Sequence, residues 1–175
     1  ARPSYQKNLE MLLEVFLLVS KRYKETHLYI IGAGEYSPSL NKINQIISDY
    51  SLEDRITILP WIPRKRVLSI LKNSKIYVST SRYEGMPFSV IESMSLKVPC
   101  ILTDTDGNRD LVVDGFNGYI IKNMNIEQMS TKICTLIENN SKRKQLGQNA
   151  HAFYKKHHLL ANFINKLTEY YIKFS

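Results

Sequence analysis

The chain has 175 residues, 43% of them hydrophobic and 23% charged, with a formal net charge of +8 at pH 7. That length suits one domain with its own core and at most an appended helix, and no apolar run approaches the ~18 residues that would span a membrane. Cys100 and Cys134 lie in apolar surroundings at neither disulfide nor metal spacing, so both read as buried free thiols.

The excess of cations is compatible with an anionic ligand, nucleic acid or an acidic membrane face. It is spread along the chain, and a solvated basic surface accounts for it equally well. The opening residues ARPSYQKN carry no apolar leader. A cytoplasmic location is expected, and the charge leaves room for peripheral contact with the inner face of a membrane.

Residues 8–23 repeat apolar side chains at Leu9, Leu12, Leu13, Phe16, Leu17 and Val19, the spacing of a helix. His27 to Ile31 reads as a strand ended by Gly32-Ala33-Gly34. Ser39 to Asp49 reads as a helix with Leu40, Ile43, Ile46 and Ile47 on one face, and Ile56 to Leu59 as a short strand. Pro63 is placed to open a helix reaching about Lys72. Ile76 to Ser79 is a strand, and Val98 to Thr103 another, with Pro99 near its start where a missing donor is tolerated. Asp106 to Asp110 reads as a loop and Gly118 to Ile121 as the last strand. Helices follow at 126–138, 141–157 and 159–174, the last of them amphipathic. Strands alternating with helices predict an α/β class: a Rossmann-like, three-layer domain around a parallel sheet covered on both faces.

The stretch Ser79 to Glu92 carries the chemistry. The strand stops, the chain breaks at Glu84-Gly85-Met86-Pro87, and a helix restarts at Phe88 or Ser89. Such a break builds a binding crevice at the carboxyl end of a strand. The free N–H groups near Phe88, Ser89 and Val90 suit a phosphate. Glu84 and Glu92 bracket the break with seven residues between them, and each carboxylate can accept hydrogen bonds from hydroxyls. Ser89-Val90-Ile91-Glu92 also spells a capping box, in which Glu92 would serve only the helix.

The run from Glu84 to Met94, EGMPFSVIESM, resembles the Glu-seven-Glu motif of retaining glycosyltransferases of family four, also called group 1. VPCILTDTDGNRDLVVDGFNGYII is similar to that family's next strand and loop. Arg2, Lys7, the IIGAGE turn and LEDRITILPWIP extend the likeness over nearly the whole chain. The resemblance implies the C-terminal, nucleotide-sugar-binding domain of a two-domain GT-B enzyme, spanning 1–175. On that resemblance these residues are expected to lack the acceptor-binding N-terminal domain and to begin where the family's domain already has a first strand. The helix 159–174 matches one that crosses back to that other domain.

The implied function is retaining transfer of a hexose from a UDP-sugar or GDP-sugar to a glycan, lipid or polysaccharide-precursor acceptor. The isolated domain is expected to transfer no sugar. Glu84 would lie by the donor sugar as the catalytic residue and Glu92 would hold the ribose. Arg2 and Lys7 would neutralise the diphosphate without a metal or other cofactor. Gly32 would lie on the nucleotide-facing edge, and Ile62 would meet the edge of the base. Trp61 reads as a core residue. The loop departs from the family at Arg109, where members have Pro, and at Asp110, where many have Glu.

Other readings are weaker. Gly32-Ala33-Gly34 lacks the third glycine of a dinucleotide fingerprint, since position 37 is Ser37. Asp104-Thr105-Asp106 supplies two carboxylates without further ligands, a weak divalent site, and Asp104 reads as a loop cap. A non-enzymatic nucleotide-binding or regulatory domain is the alternative function. Nucleic-acid binding is suggested by charge alone and is not expected.

Overall fold

The computed structural model describes residues 3–34, 37 and 39–174. Along them run α1 (Leu9–Arg22), β1 (Leu28–Ile31), α2 (Leu40–Asp49), β2 (Ile56–Leu59), α3 (Arg64–Asn73), β3 (Tyr77–Ser79) and α4 (Phe88–Ser95). Then come β4 (Cys100–Thr103), α5 (Asp106–Arg109), β5 (Gly118–Ile121), α6 (Ile126–Glu138), α7 (Asn140–His157) and α8 (Leu160–Phe174).

All strand pairings are parallel, as the alternation of strands and helices requires. β1 pairs with β2, setting Ile30 opposite Ile58. β4 lies between β3 and β5, with Ile101 opposite both Val78 and Tyr119. The expected single sheet is thus divided into a two-stranded and a three-stranded piece. Val78 packs against core clusters belonging to both pieces. Beyond β3, residues 6–8 supply the hydrogen bonds: Arg82 N–H donates to Gln6 O at 2.8 Å, and the Thr80 hydroxyl donates to Asn8 O at 2.9 Å. This brings the N-terminal loop alongside the end of β3.

Every residue of β4 is buried, and its side chains alternate between two clusters. Ile101 joins Val15, Tyr119, Met129 and Leu136, which come from α1, β5 and α6. Cys100 and Leu102 join Val90, Met94 and Ala150 from α4 and α7. Helices therefore cover both faces, and a continuous apolar strand is what that geometry needs. Burial of each such side chain contributes about 1.5–3 kcal/mol. Both cysteines are free and buried, and burial pushes the Cys100 thiol up to about 12.

Two local expectations change. Residues 106–110 are not an open loop, because Asp106–Arg109 closes one helical turn. The Thr105 carbonyl accepts from the N–H groups of Asn108 and Arg109, at 3.1 and 2.9 Å. One turn is too short to show an apolar period. Trp61 is 83% exposed, whereas its neighbour Ile62 is 8% exposed. The turn after β2 has one inward position, and Ile62 fills it.

Among the described residues no helix is long and apolar enough to cross a membrane. α8 leaves Ile164, Leu167, Tyr170, Tyr171 and Ile172 exposed.

Candidate functional site

The site forms at the carboxyl end of β3. The Thr103 hydroxyl donates to Ser81 O at 2.5 Å, tying the exit of β3 to that of β4. The chain then turns outward, and Glu84 comes to rest with only 10% of its side chain exposed. Lys7 Nζ donates to Glu84 Oε1 at 2.6 Å. Lys7 reaches it because the 6–8 loop lies along the end of β3. Two residues 77 apart in sequence thus meet as a part-buried ion pair. Lys7 has three donors, so it can hold Glu84 and still reach a phosphate oxygen.

Gly85, Met86 and Phe88 are exposed on the rim, and Pro87 and Val90 are buried. α4 starts at Phe88 with Pro87 as its N-cap, and no side chain caps it. Val90 N–H donates to Pro87 O at 2.9 Å, so it is already engaged. The first-turn N–H groups of Phe88 and Ser89 remain at the helix end, where the dipole favours an anion.

The capping box does not form. Ser89 lies within the helix, and its hydroxyl meets the Tyr77 hydroxyl at 2.7 Å. Burial, the dominant cause, pushes the Tyr77 phenol up to about 12. Glu92 instead accepts from Arg64 Nε at 2.8 Å. Arg64 opens α3, directly after Trp61-Ile62-Pro63, so this bond joins the end of β2 to the site. Gly32 turns the chain after β1 with φ +89°, and its N–H donates to Leu59 O at 2.9 Å. Arg2 lies outside the described residues.

A second loop completes the site. Gly107 N–H donates to Glu84 O at 3.0 Å. Arg109 Nη1 donates to Asp104 Oδ1 at 2.7 Å, and Nη2 donates to Asp106 Oδ1. The bond to Asp104 raises the Arg109 pKa above its ordinary value. Asp104 is thus an ion-pair partner rather than a loop cap. Among the described residues, no three His, Cys, Asp or Glu side chains group to hold an ion.

Sequence reasoning did not assign site roles to Arg64, Arg82 or Gly107. Arg82 Nη2 donates to Asn8 Oδ1 at 3.0 Å, and its guanidinium lies 4.4 Å from the centre of the Tyr5 ring. For Arg64 a signal was present: α3 opens on Arg64-Lys65-Arg66 with no acidic residue in its first turn. Cations there oppose the helix dipole and call for an acidic partner from elsewhere.

Parallel strands ending on a carboxylate, a cation and a helix start make an α/β domain whose geometry can accept a phosphorylated, hydroxylated ligand. Residues 1–153 match the family described as Glycosyl transferases group 1, and the chain belongs to that family. It is 35% identical over 147 residues to a poly(ribitol-phosphate) α-N-acetylglucosaminyltransferase of Staphylococcus aureus, covering 82% of this chain. It is 31% identical over 158 residues to a poly(glycerol-phosphate) α-glucosyltransferase of Bacillus subtilis, covering 90% of this chain. The chain spans only 28% and 23% of the length of these relatives. Among solved structures, S. aureus TarM bound to fondaparinux, α-GlcNAc-glycerol and UDP superposes with a TM-score of 0.86 at 30% identity. That match covers 97% of this chain and 34% of TarM.

Proposed function

We propose that this chain is the C-terminal, donor-binding domain of a retaining glycosyltransferase that uses a UDP-sugar. The observation that carries this reading is the Lys7–Glu84 pair at the end of β3, beside the start of α4. Lys7 and the Phe88 and Ser89 N–H groups take the diphosphate, and Glu92 accepts from the ribose hydroxyls. Glu84 faces the sugar. A charge-assisted contact to the leaving diphosphate lowers the barrier where negative charge develops. The TarM complex with UDP supports uridine as the base. The α linkages in the names of the two relatives support retention, because the usual UDP-hexose donors are themselves α-linked. Their acceptors make a polyol-phosphate polymer the first acceptor class to test.

The test is calorimetry of the 175-residue chain with UDP, GDP and ADP, with and without a chelator. UDP is expected to bind, and to bind equally well after chelation, because Lys7 and helix amides supply the positive charge. A large loss of affinity on chelation would give Asp104 and Asp106 a metal role. No binding of any nucleotide would sink the donor-domain reading.

Arg64 provides a second check. Its pair with Glu92 is exposed on the Arg64 side (75%), and such pairs are worth about 0.2–1 kcal/mol. Arg64→Ala should therefore leave the denaturation midpoint nearly unchanged. It should weaken UDP by at most about fivefold, by letting Glu92 wander. A larger loss would mean that Arg64 touches the nucleotide itself.

A further inference from the structure

We infer that Arg82 is a positioning residue for Lys7: with Tyr5 and Asn8 it clasps the loop 4–8 to the exit of β3 and presents the Lys7 ammonium to the diphosphate. The inference rests on the donor-domain reading and adds a residue to it. Arg82 holds Tyr5, Gln6 and Asn8. Its N–H donates to Gln6 O at 2.8 Å, its Nη2 donates to Asn8 Oδ1 at 3.0 Å, and its guanidinium lies 4.4 Å from the centre of the Tyr5 ring. Lys7 lies between these anchors in the chain, and its side chain is left to meet Glu84 at 2.6 Å. The neighbours of Arg82 flank the clasp: the Thr80 hydroxyl donates to Lys7 O at 3.1 Å, and Tyr83 O accepts from Gln6 Nε2 at 3.1 Å.

Stability alone does not account for this cation. Among the described residues Arg82 has no carboxylate partner. Its Nε is buried without a hydrogen bond, and its Nη1 faces the Met124 sulfur, a weak acceptor, at 3.9 Å. Taking a guanidinium out of water among uncharged partners costs free energy. Asn8 is placed in a similar way. It stands at the N-cap of α1 with a left-handed φ of +49°, yet its side chain makes no capping bond. An Asn there ordinarily serves the first helical turn, and here its Oδ1 takes Arg82 instead. Both residues give up local stability for one contact, and that contact fixes the backbone on either side of Lys7. A cation whose backbone is fixed in advance loses less freedom when a phosphate arrives.

The experiment measures UDP affinity by calorimetry, and the denaturation midpoint, for wild type, Arg82→Gln, Asn8→Gly, Lys7→Met and the double variant Lys7→Met/Arg82→Gln. Gly keeps the left-handed backbone at position 8 and removes the acceptor. Arg82→Gln and Asn8→Gly should each weaken UDP about three- to tenfold. The midpoint of Arg82→Gln should hold or rise, because a desolvated charge is gone. In the Lys7→Met background Arg82→Gln should weaken UDP by less than about twofold, because nothing is left to position. A residue serving only the fold would weaken UDP equally in both backgrounds.

The inference is overturned if Arg82→Gln costs as much affinity without Lys7 as with it, or costs none in either background. It is also overturned if the midpoint of Arg82→Gln falls in step with its affinity, the mark of a structural role. Wild-type affinity in Asn8→Gly would overturn it too, since the Arg82 charge would then act on the nucleotide directly. If Lys7→Met leaves UDP affinity unmoved, the clasp has no part in binding, while the donor-domain reading stands on the α4 amides. If UDP does not bind the wild type, the donor-domain reading fails first and takes this inference with it.

Discussion

Gly107→Ala should both destabilise the protein and displace Glu84. A Cβ at position 107 would stand 2.0 Å from Gly85 O, 2.6 Å from Gly85 C and 2.8 Å from Glu84 O. All three are backbone atoms, so no side chain can swing aside. Relief requires the Asp104–Arg109 turn to part from the Glu84 loop, breaking the 3.0 Å bond from Gly107 N–H to Glu84 O. Forcing atoms into a packed contact costs about 1–3 kcal/mol, occasionally more. The Glu84 carboxylate would lose its alignment with Lys7, and the affinity for UDP-sugar should fall with the denaturation midpoint. Gly85→Ala is the control: its added methyl meets nothing within 4 Å, so the midpoint should hold. A Gly107→Ala protein with wild-type midpoint and affinity would show that the two loops move independently.

Glu92→Gln separates binding from folding. Gln keeps the shape and can still accept from Arg64, but it loses the charge. Charge-assisted hydrogen bonds to the ribose are worth about 1.5–3 kcal/mol, so UDP affinity should drop roughly tenfold to over a hundredfold. The midpoint should barely change, because the Glu92 carboxylate caps no helix and its partner Arg64 is largely in solvent. Calorimetry and a denaturant titration on the same preparation decide the matter. Unchanged affinity would leave Glu92 as the partner of Arg64 alone and remove its ribose role.

Much of this was legible in the sequence. The periods of apolar residues placed α1 and α2 within a residue or two of their observed bounds, because an amphipathic helix must repeat its buried face. The parallel class followed from strands and helices in alternation. The break at Glu84-Gly85-Met86-Pro87 announced a crevice, since Gly and Pro end one element and a new helix begins.

What only the tertiary structure decided are the partners. Nothing local in Lys7 names Glu84, and nothing local in Glu92 chooses Arg64 over the Ser89 amide. The Ser-x-x-Glu pattern promised a cap, but Pro87 became the N-cap and left Ser89 inside the helix. Trp61 and Ile62 are both apolar, and the single inward position after β2 chose between them. Gly107 looked like an ordinary loop glycine until the β3 and β4 exits were set side by side. Periodicity is a property of neighbouring residues, so the sequence determined the elements. Charge pairing and close backbone approach depend on which elements end up adjacent, and in a parallel sheet that is settled by strand order, between residues far apart in the chain.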